Sequence, residues 1–476
     1  MPIDVQTPDS PGWWMQRCSA KLETRRKRID PLFARYEGTQ PLPPALKDAP
    51  AAARQFFATA RTAFAEMIVK APRYRLRVTG IVTPDSADEN GDANAYALWK
   101  SAGMETEQDD VHRLSMIAGD AYVIGAKYQG QVAATAEDPR QVITIHDPVR
   151  QLIILAASKV FHDDVDDRDV AYLFRPSPDG TTGHRWVAFR PRKSAVKSGV
   201  RFTGSGWEWD PTRGGEDGEP VPVPMPVVRY RNEEGVGEFE RHLPHLDRID
   251  HVILQAMWIV TMQAFRQRAI HVSEEDMPSR DKDTGELIDY TNLFESAPDA
   301  LWRLPLTAKM WESGVVDTTP VSGMASKEIE RLSAVTFTPM SMFSSDAVNQ
   351  SAAGASLVKE GLTTKVEDKQ GRLGASHAQT MALLGRIAEA EGLTDPALIG
   401  IQWRPADRYS LSEKGDASVK AASSGVPWRT RMRTIWQFGP DDIKRMESER
   451  VDDALLSATM AAPVPAAAPA AVPQQG

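Results

Sequence analysis

An α+β fold, predominantly helical, is what this sequence predicts, and three stretches predict it. Ala325 to Gly392 reads as a short amphipathic helix, a polar break carrying Pro339, and a helical pattern sustained for about forty residues. Leu243 to Ile270 reads as a helix whose centre, Val252 to Val260, is apolar nearly all round. Between Ala121 and Phe202 the chain shows short apolar runs separated by Pro, Gly and Asp, the pattern of a β-rich section. At 476 residues the chain is too long for one core, so two or three domains are expected. A short helix, a loop and a very long helix in series suit a part built for geometry, an assembly component, more than a container for a small substrate.

Ser10-Pro11 predicts an N-cap and a proline at the first helical position, opening a helix through Trp14, Cys18, Leu22 and Arg25 that Pro31 interrupts. A second helix is expected over 51–70, with Phe56, Phe57, Ala60, Phe64 and Ile68 on one side and Pro72 as its stop. Arg73 to Val82 alternates Tyr74, Leu76 and Val78 with arginines, as a half-exposed strand does. Helices over 93–104 and 107–120 lead into a strand at 121–128. Further strands are expected at 142–145, 152–155, 170–175, 185–189 and 200–202, and the Gly-, Pro- and acid-rich stretch 207–226 reads as a long loop. A helix without a polar face must be covered on every side, so the stretch 252–260 predicts oligomerisation. Residues 271–323 are rich in turns, with an apolar anchor at 301–310; 325–335 returns as a helix with Ile329, Leu332 and Val335 aligned. In the long helix from Ala352, Val358, Leu362, Val366, Leu373, Met381 and Leu384 recur near the helical period, and Gly361, Gly371 and Gly374 allow a kink. A short strand at 399–403, helices at 428–437 and 441–457, and an Ala-Pro-Gln low-complexity tail complete the chain.

The net charge of -9 argues against tight binding of nucleic acid, which draws its affinity from many Lys and Arg contacts to phosphate. Arg25-Arg26-Lys27-Arg28 is read as a solvated helix face rather than a nucleic-acid contact. Cys18 is the only cysteine, which excludes an intrachain disulfide and a cysteine-rich zinc site and fits a reducing compartment. The start of the chain lacks the basic and apolar regions of a secretory signal. The most apolar segment, Val252 to Phe265, is shorter than the ~20 residues of a membrane span and contains Gln255 and Gln263.

No phosphate-binding Gly-x-x-x-x-Gly-Lys loop, His-Glu-x-x-His or Gly-x-Ser-x-Gly element occurs, so no motor or hydrolase is recognisable and no cofactor is called for. One acidic cluster, His162, Asp163, Asp164, Asp166, Asp167 and Asp169, could offer hard oxygen ligands, but a solvated turn between two strands is the reading its spacing favours. Asp281, Asp283 and Glu286 echo a calcium loop with Gly285 one position early. Trp13 and Trp14 are expected to pack rather than stack on bases. Met340, Met342 and Phe343, apolar residues in a polar loop, call for a neighbour or the lining of an aperture.

Along the chain stand, in order, Pro11-Gly12-Trp13-Trp14, Arg35-Tyr36-Glu37-Gly38, Pro226 to Asn232 leading into Gly237-Glu238-Phe239-Glu240, Gln263 to Ala269, Thr336-Phe337-Thr338-Pro339, Ser351 to Ala355 and Lys365 to Gln370. Together these pieces resemble the portal proteins of tailed bacteriophages, of the siphovirus type common among phages of actinobacteria. The resemblance implies a portal fold with wing, two-helix stem, clip, tunnel loop and helical crown. On this chain it implies the N-terminal part of the wing over 1–240, stem helix 1 over 241–270, the clip over 271–323 and stem helix 2 over 324–337. The tunnel loop then falls at 338–351, the long wing helix at 352–393, the crown at 394–459 and a disordered tail at 460–476. Met340, Met342, Phe343, Asn349 and Gln350 become candidates for facing DNA. Leu246, Ile249, Ile253, Met257, Val260, Ile329 and Leu332 become candidates for stem packing between subunits, and Glu274, Glu275, Asp281, Asp283 and Trp302 for docking on the clip.

The function implied is non-enzymatic: a ring, usually of twelve subunits, at one capsid vertex of the virion, assembled in the host cytoplasm. Double-stranded DNA passes through it, and the terminase large subunit, capsid and scaffolding proteins and a head-completion adaptor are the implied partners, with no membrane. An acidic conduit holds DNA loosely, as sliding requires. Two alternatives share part of the pattern: another phage capsid or adaptor protein, and a metal-dependent nuclease built on His162 and the aspartates around it.

Overall fold

The computed structural model describes residues 3–41, 51–84, 86, 91–191, 199–264, 268–273, 275–281, 283–287, 307–312, 314, 316–343, 352–407 and 411–460. The chain divides into two compact units, one of residues 1–41, 63–243 and 333–476, the other of residues 42–62 and 244–332.

The larger unit opens with α1 (Pro11–Tyr36), whose N-cap Ser10 accepts the Trp13 N–H at 3.2 Å. Pro31 does not interrupt it. A mid-helix proline costs about 3 kcal/mol, and here burial of Ile29, Leu32 and Phe33 on the flanking turns offsets that cost. The helix expected over 51–70 is two, α2 (Ala51–Thr59), which belongs to the smaller unit, and α3 (Phe64–Arg73), which contains Pro72 instead of stopping at it. Then come β1 (Val78–Val82), α4 (Ala93–Ser101) and α5 (Met104–Ala118). The next pair, β2 (Asp120–Tyr128) and β3 (Gln131–Glu137), forms a hairpin through Gln129 and Gly130, both at positive φ (49° and 83°). β3 was not anticipated.

Strands β4 (Val142–His146), β5 (Ile154–Asp163), β6 (Arg168–Pro176), β7 (Gly183–Pro191) and β8 (Glu208–Trp209) make an antiparallel sheet in that order, with β9 (Glu219–Val221) also on β7. The expected loop 207–226 thus carries two short strands, while Val200–Phe202 is in none. β10 (Val227–Arg231) completes a second sheet in the order β10, β2, β3. The face of α1 bearing Met15, Cys18 and Leu22 packs on Ile143, Ala156, Val160 and Leu173, closed by Phe202 and Trp207. The basic run of α1 is not a solvated face. Arg25 pairs with Asp120 of β2, Arg26 donates to the carbonyls of Arg140 and Val200 in connecting segments, and Arg28 donates to that of Ala118 at the end of α5, so three of its four cations tie the helix to its own unit.

The smaller unit holds α6 (Leu243–Ala264), a two-stranded ribbon of β11 (Arg268–His271) and β12 (Lys309–Glu312), and most of α7 (Thr319–Thr336). The helix expected to run to 270 therefore stops at Ala264, because 268–271 is taken up by pairing with 309–312, Arg268 opposite Glu312. α7 starts before the expected 324: Asp317 accepts the Thr319 N–H at 2.9 Å, and Pro320 suits a first turn.

Back in the larger unit, α8 (Ala352–Ala388) is one helix; Gly361, Gly371 and Gly374 do not break it, and its 37 residues span ~55 Å at 1.5 Å each. β13 (Gly400–Trp403) pairs with β1. α9 (Leu411–Ser423), α10 (Trp428–Arg431), a π turn at Met432–Trp436 and α11 (Pro440–Met460) follow. The tail from 461 lies outside the described residues.

Candidate functional site

Three groups of side chains carry the geometry on which a function could rest. The first is α6. Leu246 and Ile249 are fully buried and Val252 nearly so, but beyond them Ile253 and Met257 are half-buried, Trp258 is 42% exposed and Val260 56%. Leu332 on α7 is also fully buried, and Ile329 half-buried. Leu246, Ile249 and Leu332 are therefore covered by their own chain and leave the set of candidates for packing between subunits; Ile253, Met257, Val260 and Ile329 remain accessible. Trp258 stacks on Phe57 with its plane 3° away and meets Phe56 edge-on. Asp250 takes the N–H and hydroxyl of Thr62 at 3.0 and 2.7 Å. Buried Glu328 gathers His245 (3.1 Å), Arg248 (2.8 Å) and Arg331 (2.6 Å); burial would raise its carboxyl pKa, and the bonds from Arg248 and Arg331 hold it below its ordinary value instead. Of the clip candidates, Glu275, Asp281 and Asp283 are exposed. Asp281 accepts the N–H groups of Asp283 and Thr284, which lower its pKa and make it a turn former. Glu274 and Trp302 lie outside the described residues.

The second group is the base of the expected tunnel loop. α7 ends at Thr336, and Phe337 adopts a left-handed φ of 52°. The Thr338 N–H bonds the Ser333 carbonyl (3.1 Å), and the Ser333 hydroxyl donates to the Thr338 carbonyl (2.7 Å). The Phe337 ring lies over Gly361 of α8, where a Cβ would come within 2.2 Å of it. Pro339 opens a 3-10 turn, Met340–Met342, and Phe343 sets its ring edge-on to Phe64 at 5.1 Å. Phe343 thus packs on its own chain, and Met340 and Met342 are half-buried rather than free. Asn349 and Gln350 lie outside the described residues.

The third group went unnoticed in the sequence: the buried face of α8. Lys365 and Lys369, one turn apart, both pair with buried Glu238; Lys365 does so at 2.6 Å and also donates to the Thr336 carbonyl at 3.2 Å, while Lys369 also donates to Asn232 at 2.8 Å. Burial would raise the Glu238 carboxyl, but the two ammonium groups hold it far below the usual range. Farther along, the Thr380 hydroxyl donates to the Ser376 carbonyl, so the Tyr230 hydroxyl donates to Thr380 and accepts from His377 Nδ1. His377 Nε2 is then the acceptor for His112 Nε2–H at 2.8 Å. Both imidazoles are neutral: burial lowers His112 to about 3, and burial with the neighbouring His112 lowers His377 far below its ordinary value. A signal was available in Lys369, which falls in register with Leu362, Val366 and Leu373, where a cation on an apolar stripe calls for a buried carboxylate.

The acidic cluster lies at the β5–β6 hairpin, where His162 contacts Asp164, Asp167 and Asp169, Arg168 contacts Asp163 and Asp166, and Arg190 takes Asp169. Among the described residues no three His, Cys, Asp or Glu side chains converge as metal ligands would. Trp14 packs against the α1 core and donates to Asp9 at 2.7 Å, a structural use.

Residues 15–453 match the family model described as phage portal protein, SPP1 Gp6-like. Two solved structures align with most of the chain. The neck of an empty GTA particle computed with C6 symmetry does so at 12% identity, covering 81% of this chain and 93% of that one, with a TM-score of 0.40. The neck of a native GTA particle computed with C12 symmetry does so at 11% identity, covering 80% and 93%, with a TM-score of 0.37. A comparison with curated proteins gives no match.

Proposed function

This chain belongs to the SPP1 Gp6-like family of phage portal proteins, and we propose that copies of it close into a ring at one capsid vertex. The ring is the channel for packaging and ejecting double-stranded DNA, and the docking platform for terminase, capsid and scaffolding proteins and the head-tail connector. The family is structural and non-enzymatic, which replaces the nuclease alternative. The observation that carries the ring is the family match over nearly the whole chain; support comes from α6, whose second half leaves Val260 and Trp258 partly open to solvent in a single copy. An apolar surface of that kind is stable in water once another surface covers it. A twelvefold ring, Met340 and Met342 beside the DNA, and Glu275, Asp281 and Asp283 on the docking face are the finer parts of the proposal. No described helix is long and apolar enough to cross a membrane.

Electron microscopy of the purified full chain, alone and with capsid and scaffolding protein, tests the reading. End-on views should show rings with a central opening wide enough for a duplex. Capsids that take up the protein without a ring, at positions other than a single vertex, would sink it.

A further inference from the structure

The chain passes between its two units at 41/42, 62/63, 243/244 and 332/333. On the side of the larger unit, three of these passages are fastened to the stretch 336–343 or to the helix beneath it. Phe64, just past the second passage, packs on Phe343. Glu238, shortly before the third, holds Lys365 and Lys369 of α8. Thr336, shortly after the fourth, gives its carbonyl to Lys365. That carbonyl belongs to the last turn of α7, where the helix has unpaired acceptors and the negative end of its dipole, so an ammonium group is a fitting partner. The left-handed backbone of Phe337 is a conformation that a side chain makes costly, and its ring sits where Gly361 has no side chain to obstruct it.

We propose that Lys365 is a positioning residue for the tunnel loop: by bridging the Glu238 carboxylate and the Thr336 carbonyl it clamps the base of the loop to α8, whereas Lys369, on the same carboxylate, serves the fold alone. The clamp rests on the reading of 338–351 as the loop that faces the channel. Its consequence is that the described base of the loop, up to Phe343, is held to α8.

Two substitutions of equal chemistry separate positioning from stability. Lys365→Met and Lys369→Met each take one ammonium from Glu238, and both should lower the denaturation midpoint of the full chain. Hydrogen exchange of the amides at 337–343, measured by mass spectrometry, should rise about tenfold or more in Lys365→Met, the worth of one charge-assisted hydrogen bond, and stay at the wild-type rate in Lys369→Met. Equal rises in both, or no rise in Lys365→Met, overturn the proposal. Lys365→Met leaves Glu238 paired with Lys369, so no charge is stranded; should it nonetheless fail to fold, Lys365→Gln, whose shorter side chain cannot bridge the Glu238 carboxylate and the Thr336 carbonyl together, must show the rise, and a protected loop in it overturns the clamp. Exchange is read on single chains, so failure of the ring reading leaves this result standing, and the reverse holds as well.

Discussion

The two long helices α6 and α8 solve the same problem in opposite ways. α8 closes its apolar side within its own chain, with Leu362, Val366, Met381 and Leu384 all but inaccessible, and hides charged and polar groups among them with every partner supplied. α6 closes only its first half; past Val252 none of its described side chains is buried. Apolar content therefore does not mark the helix that is finished: α8 carries the more polar sequence and is the better enclosed. A surface left open by one copy is where the assembly, rather than the fold, is stabilised.

The sharpest way to break this contrast is to place the same carboxylate in each helix. Leu384→Asp should cost beyond about 5 kcal/mol and unfold the larger unit, whereas Val260→Asp should leave a folded single chain and abolish the ring, with circular dichroism and light scattering reading the two effects. A folded Leu384→Asp protein would show that α8 is not enclosed as described. Next in size, Glu238→Gln leaves buried Lys369 and half-buried Lys365 facing a neutral amide and should destabilise by about 3–5 kcal/mol in urea titrations, with ring formation in the survivors unimpaired.

Acid gives a third test. His112 and His377 are neutral when folded, but protonate below about 6.5 once unfolded, so the unfolded chain binds more protons. Stability should be complete above that value and fall as pH drops toward 3, by about 1.4 kcal/mol per pH unit for each histidine. His112→Gln should reduce the slope between pH 6 and 4 by about 1.4 kcal/mol per pH unit, and an unchanged slope would place the titration elsewhere. The smallest effect belongs to α6. Val260→Ser should move the denaturation midpoint of the single chain by less than ~0.5 kcal/mol while weakening association measurably in native mass spectrometry.

Much of this contrast could be read in the residues and some of it could not. The run Val252 to Val260 announced a helix needing company, and the repeat from Val358 to Leu384 announced α8, because both are local periodicities. The proline stops failed at Pro31 and Pro72, where packing of neighbours such as Ile29 and Phe33 outweighs the lost hydrogen bond. The split at 60–63 is fixed in part by Asp250, nearly two hundred positions away, and could not be seen. β3 is rich in alanine and turns on Gln129-Gly130, neither of which resembles the usual strand or hairpin signals. Of the site, the resemblance named the segments holding Glu238, Lys365 and Phe337, but no local pattern says that a carboxylate and two lysines more than a hundred residues apart will meet.

One buried atom on α1 also sets what can be done at the bench. The Cys18 sulfur is sealed in the core between helix and sheet, and burial pushes its thiol up to about 12, so at neutral pH it presents almost no thiolate to a maleimide or a nitroxide reagent. A fluorophore or spin label directed to a cysteine introduced at Val260 or Met342 will therefore report from that position alone, and the native residue can stay where it is.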